Sequence, residues 1–164
     1  MTAAARFAIR PAVPADVPTL LDLIGALAEY EKLSHMVTGT GAMLAASLFG
    51  PRPVCEAVLA EEDGAAVGFA LYFFTYSTFL GKPGLYLEDL FVVPQRRGAG
   101  YGKALLKHLA RIAAESGCGR FEWRVLDWNE PSIKFYESIG GQVMREWLLV
   151  RMTDDVFTAF AAQP

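Results

Sequence analysis

The spacing of hydrophobic residues changes between helical and strand periods along the chain. Between Val17 and Glu31, apolar residues recur every three or four positions, which predicts an amphipathic helix that begins after a capping Asp16. The stretch from Ala65 to Tyr76 is apolar on both faces, which is typical of a central buried strand. The same periods predict strands at 7–10, 54–61, 65–76, 85–93, 121–126 and 142–152, and helices at 17–31, 41–49, about 101–116 and 130–139.

This order of elements, β-α-α-β-β-β-α-β-α-β, predicts an α/β fold of mixed α+β type, with a mixed sheet and helices on both faces. The chain has 164 residues, of which 53% are hydrophobic and 20% are charged. That length suits one core, so residues 1–164 are expected to form a single domain. Only Met1 to Ala5 look loose.

Charge and composition narrow the class of function. A net charge of -3 does not favour nucleic acid as a partner, because binding to phosphodiester backbones usually needs a basic surface. The longest apolar runs are about half the length that spans a bilayer, and no secretory signal is visible, so no membrane partner and a cytoplasmic location are expected. Cys55 and Cys118 lack CxxC spacing and a matching histidine cluster, so no metal site is predicted.

A glycine-rich turn between a buried strand and an amphipathic helix contains the clearest chemical signal. Gly98, Gly100 and Gly102 allow backbone N–H groups to point toward one ligand, and the start of the following helix adds free amides and partial positive charge. Three bases add countercharge, namely Arg96, Arg97 and Lys103. The pattern predicts a site for a di- or polyphosphate, the alternative being a merely tight connection.

Two common phosphate-binding loops do not fit this turn. A dinucleotide-binding fingerprint needs a third glycine where the chain has Lys103. A Walker A loop needs glycine at the position of Arg97 and serine or threonine at that of Ala104. The turn instead resembles the Arg/Gln-x-x-Gly-x-Gly/Ala signature of GNAT acetyltransferases, which the segment 95–102 matches in two overlapping registers.

Longer runs are similar to the diamine (spermidine/spermine) and thialysine acetyltransferase branch of the GNAT family, over nearly the whole chain. These runs are AEYEKL around Tyr30, FALYFFTYS at 69–77, YLEDLFV at 86–92 and VLDWNEPSIKFYESIG at 125–140. The resemblance implies the GNAT fold, with a mostly antiparallel central sheet, acetyl-CoA as cofactor and a homodimer. By the same resemblance, the pantetheine arm lies along Leu90, Phe91 and Val92, the pyrophosphate is bound by Arg97, Gly98, Ala99, Gly100, Tyr101, Gly102 and Lys103, and a helix beside the thioester starts at Asn129, Glu130, Pro131 and Ser132.

Acetyl transfer to an amine requires removal of a proton, because an alkyl ammonium has a pKa of about 10.4. Glu88 is the candidate base, acting directly or through water, and its charge also attracts a cation. Strict alternation places Asp89 on the opposite face of the strand, unless a bulge intervenes. The alternative for this acidic pair is a solvated strand end.

The departing thiolate needs a proton donor, and the resemblance assigns that role to Tyr136 in the segment NEPSIKFY. Without the resemblance, a core tyrosine would be the preferred interpretation. The acceptor pocket is expected to contain carboxylates for ammonium groups and rings for cation–π contacts. The candidate residues are Tyr30, Glu31, Glu88, Glu146 and Trp147.

Two departures from the family pattern concern the acceptor. Polyamine-specific members carry Asp where this chain has Ser77, and a Trp found in both groups is replaced by Phe79. We therefore expect the acceptor to be a small cation with a primary amine, either a diamine or polyamine or a thialysine- or lysine-like amine, and we rank the second group slightly above long polyamines. The alternatives are acetylation of a protein lysine or another amino-acid amine, an idle acetyl-CoA-binding sensor, and a non-enzymatic interaction module.

Overall fold

The computed structural model describes residues 6–164, so the expectation that Met1 to Ala5 are loose lies outside the described residues. The chain divides into two compact units, and the boundary in the sequence falls between Arg124 and Val125. The single domain expected from the sequence stays a prediction.

The first unit contains a five-stranded sheet with the strand order β1-β2-β3-β4-β5. All neighbouring strands are antiparallel except β4 and β5, which are parallel, so the predicted mixed and mostly antiparallel sheet is confirmed. The elements are β1 Phe7–Pro11, α1 Val17–Tyr30, α2 Gly41–Phe49, β2 Glu56–Glu62, β3 Ala65–Ser77, β4 Lys82–Val92, α3 Tyr101–Glu115 and β5 Arg120–Trp123. Short 3-10 turns occupy Pro14–Asp16, Ser34–Met36 and Pro94–Arg96.

Helices cover both faces of this sheet. On one face, α1 and α2 pack on a cluster that includes Phe69, Leu71 and Phe91. On the other face, α3 buries Leu105 and Leu109 completely. Complete burial of such a side chain contributes about 1.5–3 kcal/mol, so these three helices are held mainly by their apolar faces.

Asp16 has a different role from the predicted helix cap. Its carboxylate accepts hydrogen bonds from the Val13 N–H at 2.7 Å and from both terminal nitrogens of Arg10 at 2.7 and 2.9 Å. It makes no side-chain cap at the start of α1. The residue therefore joins β1 to the turn before α1.

The second unit contains two helices, α4 Glu130–Ser138 and α5 Asp154–Ala161. The predicted last strand at 142–152 is wrong, because this segment is irregular and turns at Arg145 and Glu146. The N–H of Trp147 donates to the carbonyl of Met144 at 3.4 Å across that turn. Residues 147–150 are continuously apolar and do not alternate, so the pattern fits a strand only in part. The helix α5 was missed, since only two turns are available to show its period.

None of the helices in residues 6–164 is both long enough and apolar enough to span a bilayer.

Candidate active site

Two glycines give the turn between β4 and α3 its shape. Gly98 has φ +81° and Gly100 has φ +87°, a left-handed conformation that costs other residues free energy. Gly102 lies inside α3, where an added Cβ would meet the side chains of Leu90 and Val92 at an ordinary 3.9 Å. The backbone conformation therefore requires glycine at positions 98 and 100, and not at 102.

The start of α3 fits an anionic group. Gly100 is the N-cap residue and supplies no side-chain cap, and its carbonyl accepts the first helical hydrogen bond from Ala104 at 2.9 Å. The first N–H groups of a helix have no intrahelical partner and carry partial positive charge. Lys103 stands exposed in the same first turn, where a cation is unfavourable beside the helix dipole unless an anion offsets it. These features fit the pyrophosphate predicted from the sequence.

Arg97 connects this turn with the end of α1. Its Nε–H donates to the carbonyl of Val92 at 3.0 Å. Its guanidinium carbon lies 4.3 Å from the ring centroid of Tyr30 and 5.4 Å from that of Phe91. Stacking of this kind adds cation–π attraction to the hydrogen bond. Arg97 therefore fixes the last carbonyl of β4 while it covers a predicted acceptor residue.

A β-bulge in β4 changes which face Glu88 and its neighbours occupy. Leu71 of β3 pairs with Asp89, but the next residue, Tyr72, pairs with Leu87, so Glu88 is an extra residue. The bulge places Tyr86 on the same face as Asp89, because paired residues share a face of the sheet. The alternation assumed from the sequence was therefore wrong here, and the bulge named there as the exception is present.

Three carboxylates of the first unit interact around this bulge. Burial first, and then the charges of Glu88 and Glu31, raise the pKa of the Asp89 carboxyl to about 6. Burial also raises the pKa of Glu31, which follows directly after α1. Glu88 and Glu31 were predicted from the sequence as site residues, whereas Asp89 was missed. A cluster of negative charge in a half-buried position attracts a cation.

Ser77, at the position where polyamine-specific members carry Asp, is buried and structural. Its hydroxyl accepts a hydrogen bond from the Leu80 N–H at 3.3 Å, and its carbonyl accepts one from Gly81 at 2.8 Å. Both bonds stabilise the turn between β3 and β4. The neighbouring Phe79 is 96% exposed at the tip of that turn.

The start of α4, in the second unit, is stabilised by its own side chains. Asn129 is the N-cap residue, is 8% exposed and accepts a hydrogen bond from the Ser132 N–H at 3.4 Å. Pro131 occupies the first turn, where its missing N–H costs nothing. Glu130 forms an ion pair with Lys134 at 3.3 Å along the helix surface. The segment predicted to begin a helix at these residues does so.

The other predicted residues of the second unit lie on α4 and in the irregular segment. Tyr136 is in the last turn of α4, with its ring centroid 5.6 Å from that of Phe135. Glu146 lies in the turn described above, and Trp147 beside it is 72% exposed. The acceptor residues that the first unit brings together are thus Tyr30, Glu31 and Glu88.

A mixed sheet, a strand that ends in a glycine turn and a helix start suited to a pyrophosphate are together typical of α/β enzymes that bind a phosphate-bearing coenzyme. The chain belongs to the acetyltransferase (GNAT) family, whose model matches residues 26–141. It is an N-acetyltransferase. The family and the fold class predicted from the sequence are confirmed.

Relatives of known activity match almost the whole chain. A mouse thialysine N-epsilon-acetyltransferase is 36% identical over 94% of this chain and 97% of its own length. An Arabidopsis thaliana L-ornithine N5-acetyltransferase is 34% identical over 92% of this chain and 86% of its own length. The predicted resemblance to the thialysine branch is confirmed by these similarities.

Solved structures share the fold. An integron cassette protein from V. cholerae superposes with a TM-score of 0.80 at 27% identity, over 96% of this chain and 98% of that one. An aminoglycoside N-acetyltransferase in complex with CoA gives a TM-score of 0.74 at 19% identity, over 93% of this chain and 98% of that one. At that identity the second similarity concerns the fold alone.

Proposed function

We propose that this enzyme transfers the acetyl group of acetyl-CoA to the primary amine of a small cationic acceptor. The observation that carries the proposal is the carboxylate cluster of Glu31, Glu88 and Asp89, in which burial and like charges raise the pKa of Asp89 to about 6. A cation among these groups would relieve their repulsion and their cost of burial. The relatives named above, which act on thialysine and L-ornithine, support the same class of acceptor.

The residues present fit the cofactor predicted from the sequence. The left-handed glycines and the uncapped start of α3 would hold the pyrophosphate through the segment from Arg97 to Lys103. Leu90, Phe91 and Val92 at the end of β4 would lie along the pantetheine arm, and the segment from Asn129 to Ser132 would lie beside the thioester. Bound acetyl-CoA supplies the acetyl group in an activated form.

The acceptor reaches the enzyme as an ammonium ion, of which only about one in a few thousand is neutral at pH 7. Glu88 is the proposed base, because the bulge exposes its carboxylate beside the half-buried Asp89. It takes the proton from the acceptor nitrogen directly or through a water molecule. Asp89 and Glu31 hold the cation by charge while the proton is removed.

Tyr136 is proposed to return a proton to the sulfur of the leaving coenzyme. The basis is its position in α4, seven residues after the Asn129 cap, together with the family resemblance. Glu146 and Trp147 are proposed as further acceptor contacts on the same basis. A cytoplasmic homodimer is likewise part of this proposal, and light scattering in solution tests the dimer.

The structure of the β3–β4 turn favours a short acceptor over a long polyamine. Ser77 carries no charge and its hydroxyl is already bonded to the Leu80 N–H, so it offers no second carboxylate for a distant ammonium group. We therefore rank thialysine-like and lysine-like amines above spermine. Acetylation of a protein lysine remains the alternative within enzymes, and acetyl-CoA sensing without turnover is the alternative outside them.

A panel of amines tests the proposal. Thialysine, lysine, ornithine, putrescine, spermidine, spermine and a lysine-containing peptide are each incubated with acetyl-CoA, and the free thiol is measured. The expected result is the fastest turnover with the short amines, and a much smaller rate in the Glu88→Gln variant. Faster turnover of spermine than of every short amine would reverse the ranking. Exclusive use of the peptide would favour protein acetylation, and exclusive use of neutral acceptors would contradict the carboxylate site.

A further inference from the structure

The last two residues of β2 are both glutamates, and each forms its contacts on a different face of the sheet. Glu61 accepts hydrogen bonds from the Nε and a terminal nitrogen of Arg10, at 3.0 and 2.7 Å. Glu62, the next residue, instead contacts Arg96 and Tyr101. Adjacent strand residues point to opposite faces, so the two carboxylates serve separate networks.

Both carboxylate oxygens of Glu62 contact residues that flank the glycine turn. Its Oε2 forms an ion pair with the Nε of Arg96, just before the turn. Its Oε1 accepts a hydrogen bond of 2.5 Å from the hydroxyl of Tyr101, the first residue of α3. Only 14% of the Glu62 side chain is exposed, whereas 49% of the Arg96 side chain is exposed, so the carboxylate is the shielded partner of the ion pair.

The sheet positions the partners of this carboxylate. In the register of β1 with β2, Phe7 is paired with Glu62. The ring of Tyr101 stacks on Phe7, with ring centroids 4.2 Å apart and an interplanar angle of 6°. The hydrogen bond to Glu62 raises the pKa of the Tyr101 phenol, so the phenol is the donor of this pair.

The segment between these two anchors needs external support. It contains the left-handed Gly98 and Gly100, and glycine loses more conformational freedom on ordering than any other residue. An anion-binding turn whose amides are already aimed at the ligand avoids that entropic cost at the moment of binding. Arg96, whose charge is already paired with Glu62, is better placed to hold the turn than to neutralise a phosphate.

We propose that Glu62 is a positioning residue for cofactor binding, which holds Arg96 and Tyr101 so that the turn from Arg97 to Gly100 keeps its N–H groups aimed at the pyrophosphate. The inference rests on the proposed use of acetyl-CoA. It predicts an effect on the affinity for the nucleotide end of the cofactor and none on the chemical step. It also revises the role that the sequence analysis gave to Arg96.

The test compares Glu62→Gln with Glu61→Gln, a matched change in the adjacent residue that contacts Arg10 and not the turn. Acetyl-CoA is compared with S-acetylpantetheine, which carries the same thioester but no pyrophosphate. Glu62→Gln should raise the KM for acetyl-CoA and the calorimetric Kd for coenzyme A about tenfold, with kcat nearly unchanged. Kinetics with S-acetylpantetheine should not change, and Glu61→Gln should resemble the unmodified protein in both respects.

Two further measurements separate positioning from general damage. In the protein without cofactor, amide hydrogen exchange at residues 98–103 should be faster in Glu62→Gln than in Glu61→Gln. Tyr101→Phe keeps the ring on Phe7 and removes the hydroxyl, so it should reproduce part of the loss of affinity. The double variant should lose less affinity than the sum of the two single changes, since both remove the same hydrogen bond.

Four results would overturn the inference. Unchanged affinity in Glu62→Gln would leave the residue with a structural role only, and tighter binding would mean that release of the Arg96 charge outweighs the shape of the turn. Equal losses with acetyl-CoA and S-acetylpantetheine would indicate general damage. Failure of the unmodified protein to bind coenzyme A would instead overturn the proposed function together with this inference.

Discussion

The guanidinium group of Arg97 lies over the ring of Tyr30, with 4.3 Å between the guanidinium carbon and the ring centroid. Tyr30 is the last residue of α1, and Glu31 of the carboxylate cluster follows it directly. One side chain of the glycine turn therefore contacts the element that presents the proposed acceptor residues. Disturbance of the turn should affect the acceptor as well as the cofactor.

Arg97→Lys tests this connection, because it keeps the charge but loses the planar stacking and the Nε–H bond to Val92. The KM values for acetyl-CoA and for the amine should both rise, each by about threefold to thirtyfold, which corresponds to the loss of a stacked cation or a hydrogen bond. Steady-state kinetics with each substrate varied in turn give the two values. A rise in the KM for acetyl-CoA alone would show that the contact of Arg97 with Tyr30 does not affect binding of the amine.

Asp89 should make the stability of the protein depend on pH. Its pKa is raised from 3.8 to about 6 in the folded protein, so the folded state binds more protons than the unfolded state between these values. Stability should therefore fall as the pH rises from about 4 to about 6, and the loss above pH 6 should be at most about 3 kcal/mol. Asp89→Asn should remove this loss, so at pH 7 the variant should gain stability relative to the unmodified protein.

Urea unfolding at several pH values measures this effect, with Asp22→Asn on the exposed side of α1 as the matched control. The control should keep the pH dependence of the unmodified protein. Asp89→Asn should also raise the KM for a cationic amine, because a charge in the cluster is lost. An Asp89→Asn variant whose stability follows the same pH profile as the unmodified protein would contradict the raised pKa.

Gly100→Val should weaken binding of coenzyme A strongly and leave the fold mostly intact. A β-branched residue at φ +87° is strained by at least about 1 kcal/mol, and relief of that strain would redirect the N–H groups of the turn. Calorimetry gives the affinity, and circular dichroism checks the fold. Gly25→Ala is the control, because it lies inside α1 with open space around the added Cβ, and it should bind normally and be slightly more stable.

The parts of the fold that depend on local pattern could be predicted from the sequence. The double apolar face of β3 and the period of α1 identify a buried strand and an amphipathic helix without reference to the rest of the chain. The prediction of a strand at 142–152 was wrong, because a strand forms only where another strand satisfies its backbone hydrogen bonds. Hydrophobicity alone does not show whether such a neighbour exists.

The candidate site was also predictable only where it depends on local pattern. Gly98 and Gly100 are informative in the sequence because few residues tolerate their conformation. Asp89 was missed, since its face depends on a bulge that arises from the pairing of β4 with β3. The contact of Glu62 with Arg96 was also missed. It joins residues that are distant in the sequence and that only the folded sheet brings together.

Tyr136→Phe tests the proposed proton donor. A phenol has a pKa of about 10 and a thiol one of about 8.5, so proton transfer to a fully formed thiolate is uphill by roughly 2 kcal/mol, and the contribution of the donor should be moderate. General acids typically accelerate a reaction by about 10²-fold to 10⁴-fold. The variant keeps the ring beside Phe135 and loses only the hydroxyl, so kcat should fall by a factor in that range while the KM for acetyl-CoA changes little.

Phe135→Leu is the control, because it alters the packing around the ring and keeps the phenol, and its kcat should fall far less. A Tyr136→Phe variant with nearly normal kcat would assign the residue to packing alone, and water would then have to supply the proton to the sulfur.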